Sequence, residues 1–394
     1  MIERNEMKVL GLLFTISVSL EKWVESGLIY REKRIYEEHL KLGYFDKIIW
    51  FTYGANDEKV YKDLLDEGVI DKRIEVVQMP QWIKCPYKDQ LYSFLLPYIQ
   101  KQYCKEIDII KTNQMGGAWT AYAIAKRYGC KFLLRTGYTY STFLKDRCTQ
   151  SDNNWMSKIK NKWLYMIYKE IEKKMYRKCD YATVSSAHDK KYVESMYGIA
   201  PSKIEIITNF VDCNLFRPIT IKKKDRFVFV GRLNHQKNIF NIIEGVVTAG
   251  FGIDIYGDGE LKHELINYVN QNQYDVELKG IIENAELPDI LNQYRFYILC
   301  SKYEGMPKTL LEAMACGLIC IGSNVKGISE VIKDNENGFL TTGIDSESIL
   351  QSIQHMLQSE NLGVIGVNAR KYILNNHSIE VIVEKENEIM QSMK

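Results

Sequence analysis

The chain has 394 residues, 46% apolar and 26% charged, with a formal net charge of +2. That length suits two or three domains with large cores, and the near-neutral balance argues against a dedicated nucleic-acid binder. Nine scattered cysteines (85, 104, 130, 148, 179, 213, 300, 316 and 320), without a C-x-x-C pair, read as reduced thiols in a cytosolic protein, not as a disulfide framework or zinc site.

Val9–Leu20 is apolar enough to pass for a signal-peptide core, but Glu3 and Glu6 precede it and no small-residue cleavage site follows. It reads instead as a buried first strand, Lys8–Ser17, followed by a loop to Gly27 at the sheet's carboxyl end, where open α/β sheets bind ligands. An amphipathic helix (28–42), a strand (47–53), a strand (74–77), a helix (89–103), a strand (107–111), a helix (119–128) and a strand (131–135) follow. Strands 181–185 and 204–208 flank a helix at 186–197. Alternation at this pace implies a parallel sheet with right-handed crossovers. No run is long enough to span a membrane.

Residues 153–178 form a long helical pattern. Trp155, Ile159, Trp163, Met166, Ile167, Ile171 and Met175 recur at helical spacing among eight lysines and arginines. Two readings stand: an apolar stripe packed on the domain core with a solvated basic face, or a helix lying on an anionic membrane surface, where Trp and Lys both gain. No nucleic-acid motif accompanies it.

The hydrophilic stretch Ile221–Asp225 fits a surface linker. Strand 227–230 then runs into Gly231-Arg232-Leu233-Asn234-His235-Gln236-Lys237-Asn238, which places two cations at a strand's carboxyl end. Strand 251–256 leads into Gly257-Asp258-Gly259, which reads as a plain tight turn. The segment Leu299–Ser323 reads as strand end, loop, helix and second strand. Pro307 suits the first helical position, and the amides of Lys308, Thr309 and Leu310 then form an anion site at the helix start. Gly317 suits a left-handed cap. Glu304 precedes the helix and Glu312 lies roughly 7–8 Å along its axis from Pro307, too far for a close acid pair. The two can hold opposite ends of a ligand whose negative middle rests on the helix start, and a nucleotide-sugar has that shape. The departing diphosphate needs neutralising. The sequence holds no Asp-any-Asp pair for a divalent metal, but supplies Arg232, Lys237 and the helix amides.

This Glu304-Gly305-Met306-Pro307 … Leu310-Leu311-Glu312-Ala313-Met314-Ala315 … Gly317 run resembles the signature of family 4 retaining glycosyltransferases with the GT-B fold. The resemblance implies an α/β architecture of two Rossmann-like doubly wound domains facing each other across a cleft, with a C-terminal helix crossing back. The domains would be 1–212 (acceptor-binding), a linker 213–225, 226–375 (nucleotide-sugar-binding) and a helix 376–394 packing back on the first. The boundary rests on Asn209-Phe210-Val211-Asp212, similar to the family's N-G-V-D with Phe210 in place of glycine. The implied function is metal-independent, cofactor-free transfer of a hexose from a nucleotide-diphosphate sugar, with UDP favoured over GDP and the anomeric configuration retained. The acceptor would be a glycan or a polyprenol-linked glycan for surface polysaccharide or glycolipid. The place would be the cytoplasm, with helix 153–178 as the route to the cytoplasmic face of a membrane.

By resemblance Glu304, Arg232 and Lys237 are catalytic. Gly27, Gly231, Gly305, Met306, Lys308, Thr309, Leu310 and Glu312 hold the donor, with Glu312 on the ribose and Ile281-Ile282 covering the base. The family's glycine after the lysine is Asn238 here. Its histidine after the 131–135 strand is absent, and Arg135 or a tyrosine of Thr136–Tyr140 could take that role. The other readings are a nucleotide-sugar epimerase or hydrolase on the same fold and a non-catalytic membrane-associated scaffold. The full set of Arg232, Lys237, Glu304 and Glu312 argues against the scaffold.

Overall fold

The computed structural model describes residues 8–137, 141 and 155–393, with 155–161 described by backbone alone. The chain divides into two compact units, Met1–Ile207 with Val383–Lys394, and Thr208–Ile382. Among the described residues no helix is long and apolar enough to cross a membrane.

The first unit is built on a seven-stranded parallel sheet in the order β3-β2-β1-β4-β5-β6-β7. Its strands are β1 (Val9–Leu13), β2 (Lys47–Phe51), β3 (Ile74–Val77), β4 (Ile109–Thr112), β5 (Lys131–Thr136), β6 (Tyr181–Val184) and β7 (Ile204–Ile206). Its helices are α1 (Leu20–Glu25), α2 (Ile29–Lys41), α3 (Asp57–Asp66), α4 (Lys88–Ile99), α5 (Ala118–Tyr128), α6 (Trp155–Lys178) and α7 (Ala187–Tyr197). β1 is shorter than the expected Lys8–Ser17. A turn closes from Val18 N–H to the Thr15 carbonyl, and Ser17 takes a left-handed φ of 67°. The expected loop up to Gly27 contains α1. Ser19 caps that helix, and the buried Asp57 carboxylate accepts the amides of Leu20 (2.9 Å) and Glu21 (3.2 Å).

The helix expected over 89–103 is interrupted only at Gln100, between Lys88–Ile99 and a further turn, Lys101–Cys104, and it carries a proline in its interior. Pro97 has no N–H to offer the Ser93 carbonyl, and its ring crowds that oxygen. The freed carbonyl is taken by the Thr120 hydroxyl at 2.8 Å, while the Trp119 indole N–H donates to the Ser93 hydroxyl at 3.1 Å. The bond missing inside α4 thereby becomes its attachment to α5.

The apolar positions of α6 do not all face the core. Met175 and Tyr176 are buried, as is Glu172, but Trp163, Met166 and Ile167 are exposed. Among the described side chains of this helix, Glu172, Met175 and Tyr176 pack in the core.

The second unit carries a six-stranded parallel sheet in the order β10-β9-β8-β11-β12-β13. Its strands are β8 (Lys224–Val230), β9 (Ile253–Tyr256), β10 (Val276–Gly280), β11 (Tyr294–Leu299), β12 (Ile319–Ser323) and β13 (Phe339–Thr341). Its helices are α8 (Ile239–Thr248), α9 (Lys262–Asn272), α10 (Leu287–Asn292), α11 (Lys308–Ala315), α12 (Ser346–Gln358) and α13 (Leu362–Asn376). The stretch after Asp212 is anchored to this unit: Cys213 and Phe216 are buried in its core, and Arg370 donates to their carbonyls. The last helix, α14 (Ile379–Ser392), begins in this unit and contributes its residues from Val383 onward to the first.

Within the first unit, α14 is fixed by a buried ionic cluster. Lys111 on β4 donates to both Glu386 oxygens at 2.7 and 2.8 Å, and His39 Nε2 on α2 meets the same carboxylate at 3.1 Å. All three side chains are essentially unexposed. Burial alone would raise the Glu386 carboxyl, but Lys111 and His39 overturn that and hold it at about 2. Burial lowers His39 from its usual 6.5, so its imidazole stays neutral.

Breaking such a cluster on one side leaves a charge in the core. Glu386→Gln is expected to destabilise the first unit by about 3–5 kcal/mol. Lys111→Met/Glu386→Leu, which removes both charges, should cost less, as read from melting midpoints. A depressed carboxyl contributes stability that is complete above its unfolded value of 4.5 and lost as pH falls toward about 2. Wild type should therefore lose stability through that window, and the double variant should show a flatter acid limb.

Candidate active site

The site residues of the second unit come together where β8 and β11 end. Gly231 leaves β8 with its N–H on the Tyr256 carbonyl at 3.0 Å. Asn234 then caps a short 3₁₀ turn, His235–Lys237. The Lys237 ammonium reaches across to the Glu304 carboxylate at 2.6 Å, with side-chain exposures of 12% and 8%. Three further bonds tie these loops together: Gln236 Nε2 to the Tyr303 carbonyl (2.9 Å), Lys302 N–H to the Gln236 carbonyl (2.9 Å) and Asn238 Nδ2 to the Cys300 carbonyl (3.1 Å). Arg232 stands on the same loop, exposed, and its guanidinium makes no hydrogen bond or ion pair among the described residues.

Asn238 replaces the family's glycine for a visible reason. Its φ of +58° is left-handed, a conformation asparagine tolerates better than other side chains. Its amide also donates to the carbonyls of Cys300 and Ile344 (2.6 Å).

The helix start differs by one residue from expectation. Pro307 is not the first helical residue but the cap: its ψ of 111° is extended, and α11 begins at Lys308. The Leu311 N–H bonds back to the Pro307 carbonyl at 3.4 Å, leaving the Thr309 and Leu310 amides at the open positive end. Leu310 and Met306 are buried, the Thr309 hydroxyl accepts from Tyr297 at 2.9 Å, and the Met306 carbonyl accepts from Asn209 at 2.7 Å. What Leu310 can offer a ligand is therefore its amide, not its side chain. Lys308 lies 5.6 Å from the centroid of the Phe210 ring, so the phenylalanine that replaces the family's glycine gives that cation a face to rest on. Gly305 is exposed, with nothing within 4 Å of where a Cβ would stand. Glu312 is only 4% exposed. Gly317 ends the helix with φ +72°.

Sequence reasoning missed the bracing of this site. Gly257-Asp258-Gly259 is more than a tight turn: a Cβ on Gly257 would overlap the Gly231 carbonyl oxygen, and one on Gly259 the Leu233 carbonyl oxygen. Leu233 N–H in turn bonds the Asp258 carbonyl at 2.9 Å. Likewise a Cβ on Gly327 would overlap the Gly305 carbonyl oxygen. The G-x-G spacing was the available signal for the first of these, and nothing local marked Gly327.

The remaining candidates are on other loops and strand ends. Ile281, expected over the base, is 79% exposed after β10. Gly27, in the first unit, turns the chain out of α1 with φ +66° and its N–H on the Val24 carbonyl. Arg135 donates to the Asn113 carbonyl at 2.9 Å, and Tyr138 and Tyr140 lie outside the described residues. Among the described residues no group of three or more His, Cys, Asp or Glu is arranged to hold a metal ion.

The fold is that of two Rossmann-like parallel α/β units, consistent with the GT-B architecture. Residues 46–215 match the family model described as Glycosyltransferase Family 4, and residues 214–377 match Glycosyl transferases group 1. The chain is 31% identical over 248 residues to an Escherichia coli UDP-Gal:alpha-D-GlcNAc-diphosphoundecaprenol alpha-1,3-galactosyltransferase, covering 57% of this chain and 64% of that one. It is 25% identical over 239 residues to a Campylobacter jejuni alpha-1,4-N-acetyl-D-galactosaminyltransferase whose acceptor is a PP-undecaprenol glycan, covering 58% and 64%. The chain thus spans just under two thirds of the length of these curated relatives. Among solved structures, a Rickettsia africae glycosyltransferase superposes with a TM-score of 0.72 at 19% identity over 99% of both chains. Anabaena Alr3699/HepE in complex with UDP gives 0.70 at 15% identity over 98% of this chain and 100% of its own.

The backbone contacts lead to two expectations. Gly257→Ala and Gly327→Ala should each displace a site loop, lowering the melting midpoint and impairing ligand binding, because the carbonyl each meets is backbone. Asn238→Ala should cost about 2 kcal/mol, through an unfavourable left-handed φ and two lost bonds to carbonyls. Asn238→Gly should recover the backbone part only, as measured by denaturant unfolding.

Proposed function

We propose that the protein transfers a sugar, retaining its anomeric configuration, from a nucleotide-diphosphate sugar to a glycan or polyprenol-linked acceptor in surface polysaccharide or glycolipid synthesis. UDP is the favoured nucleotide and the sugar a hexose. The second unit holds the donor and the first the acceptor. The observation that carries this reading is the Lys237–Glu304 ion pair at 2.6 Å, beside the open start of α11 and on the same loop as the exposed Arg232.

In this reading the diphosphate settles against the amides of Thr309 and Leu310, shares Lys237 with Glu304 and is met by Arg232. As the glycosidic bond breaks, negative charge grows on the bridging oxygen. Two cations and a helix dipole fixed in advance stabilise it more than the ground state. That arrangement supplies the charge a divalent metal would otherwise bring, so the reaction is proposed to be metal-independent. Glu304, held by Lys237, is oriented toward the hydroxyls of the transferred sugar, and Glu312 is assigned to the ribose. Both of these relatives are named for undecaprenol-linked acceptors, which supports a lipid-linked acceptor here. The proposed place is the cytoplasmic face of a membrane, reached through the basic helix α6, whose Trp163 is 61% exposed.

A thermal-shift panel of UDP, GDP, ADP and their sugar conjugates, with a chelator present, tests the donor class. A ligand bound only by the folded state raises the midpoint by mass action. UDP or a UDP-sugar is expected to give the shift. Arg232→Ala should weaken it by roughly ten- to a hundredfold in affinity, the worth of one charge-assisted contact of about 1.5–3 kcal/mol. A shift appearing only with added divalent metal would refute metal independence. Glu304→Gln should abolish transfer while the chain stays folded. Donor turnover without acceptor should be slow, and rapid turnover would favour a hydrolase.

A further inference from the structure

The first unit presents an apolar stripe to solvent on α4. Tyr87, Leu91, Phe94 and Tyr98 recur at helical spacing and are 75%, 43%, 65% and 60% exposed. Trp82, on the preceding loop, is 66% exposed. Single exposed apolar residues are ordinary, but a run of this size along one helix face marks an interaction surface. The stripe is ordered. Phe94 stacks on Trp119 with ring centroids 6.1 Å apart, and the Arg127 guanidinium lies 4.5 Å from the centroid of Tyr98.

A second exposed stripe lies on α6: Trp163, Met166 and Ile167. α4 packs on α5 and α5 on α6, and right-handed crossovers place all three helices on one face of the sheet. Exposed cations border both stripes, with Lys84 and Lys88 beside the first, Arg127 between, and Lys162, Lys174 and Lys178 on α6. Against them stand the carboxylates of Asp89 and Glu170. These cations outnumber the carboxylates beside them in a chain whose net charge is only +2.

Aromatic side chains fixed on a helix and edged with long lysines suit the headgroup region of an anionic bilayer. There the rings sit at the interface and the ammonium groups extend to lipid phosphate. A folded protein partner covering the stripes would have to bury those lysines or supply matching carboxylates. A bilayer leaves them at phosphate level. We propose that α4 and α6 together form a docking face for an anionic lipid bilayer, with Trp82, Leu91, Phe94 and Tyr98 as its apolar anchor. The proposal rests on the membrane reading of helix 153–178 and is independent of the transfer reaction.

The test is co-sedimentation of the full chain with phosphatidylcholine vesicles, with and without phosphatidylglycerol, at low ionic strength and without nucleotide. Wild type should bind the anionic vesicles. Leu91→Ser/Phe94→Ser/Tyr98→Ser, checked for folding by melting, should bind at least about tenfold more weakly, given the apolar area removed. Trp82→Ser, on the loop, is a second variant that should weaken binding on its own. Lys162→Glu/Lys174→Glu should abolish the preference for anionic lipid. If only that charge variant loses binding, the α4 anchor is overturned while the reading of α6 survives. If wild type does not bind, both fall. A solution mass of two chains, reduced to one by the triple substitution, would assign the face to a second copy and overturn the bilayer proposal.

Discussion

The ion pair between Lys237 and Glu304 is the constraint around which the second unit is arranged. Two opposite charges on loops from different strands stay within 2.6 Å only if both loops are rigid. The structure meets that demand with backbone rather than bulk. Gln236 bonds Tyr303 and Lys302 across the loops, Asn238 is pinned to the carbonyls of Cys300 and Ile344, and glycines at 257 and 327 let neighbouring turns press directly on the loops that bear Gly231 and Gly305. Charges held in this way need little reorganisation when a new charge develops beside them, which is the property an electrostatic catalyst requires.

The first unit uses a buried charge for a different end. Lys111, Glu386 and His39 are sealed from water, with Lys111 and His39 Nε2 both on the Glu386 carboxylate and His39 Nδ1 left without a partner. No ligand can reach them, so the cluster fixes where the last helix docks on β4 and α2. The Lys237–Glu304 pair keeps some exposure on both side chains and stands beside an exposed arginine and an open helix end. Burial, not residue type, separates the two roles. A Lys–Glu pair at 2.6–2.7 Å is found in both places, but only one has a surface on which a ligand can compete for it.

Much of this was legible in the sequence, because the strongest signals were local. Glycine and proline punctuation around Leu310–Ala315 marked a strand–loop–helix unit, and alternation of helix and strand marked parallel sheets. The misreadings have local physical causes. Pro307 was placed one position too deep because a proline fits both a cap and a first helical turn, and only ψ distinguishes them. α1, with six residues, was too short for periodicity to detect, and the Asp57 carboxylate that stabilises its start is distant in sequence. Gly257 and Gly327 were not recognised as braces because their reason is a carbonyl far along the chain. Lys111–Glu386 joins residues 275 apart, beyond any spacing argument.

Helix 155–178 shows the same boundary most clearly. Its apolar period was read correctly, but a period says only that a face exists, not what lies against it. The core takes Met175 and Tyr176 near the C-terminal end, where the helix passes Tyr197, and leaves Trp163, Met166 and Ile167 outside. The helix packs on α5 and α7. An amphipathic helix longer than the strands it serves must present part of its apolar stripe to something else, and its lysines determine which surroundings would accept it.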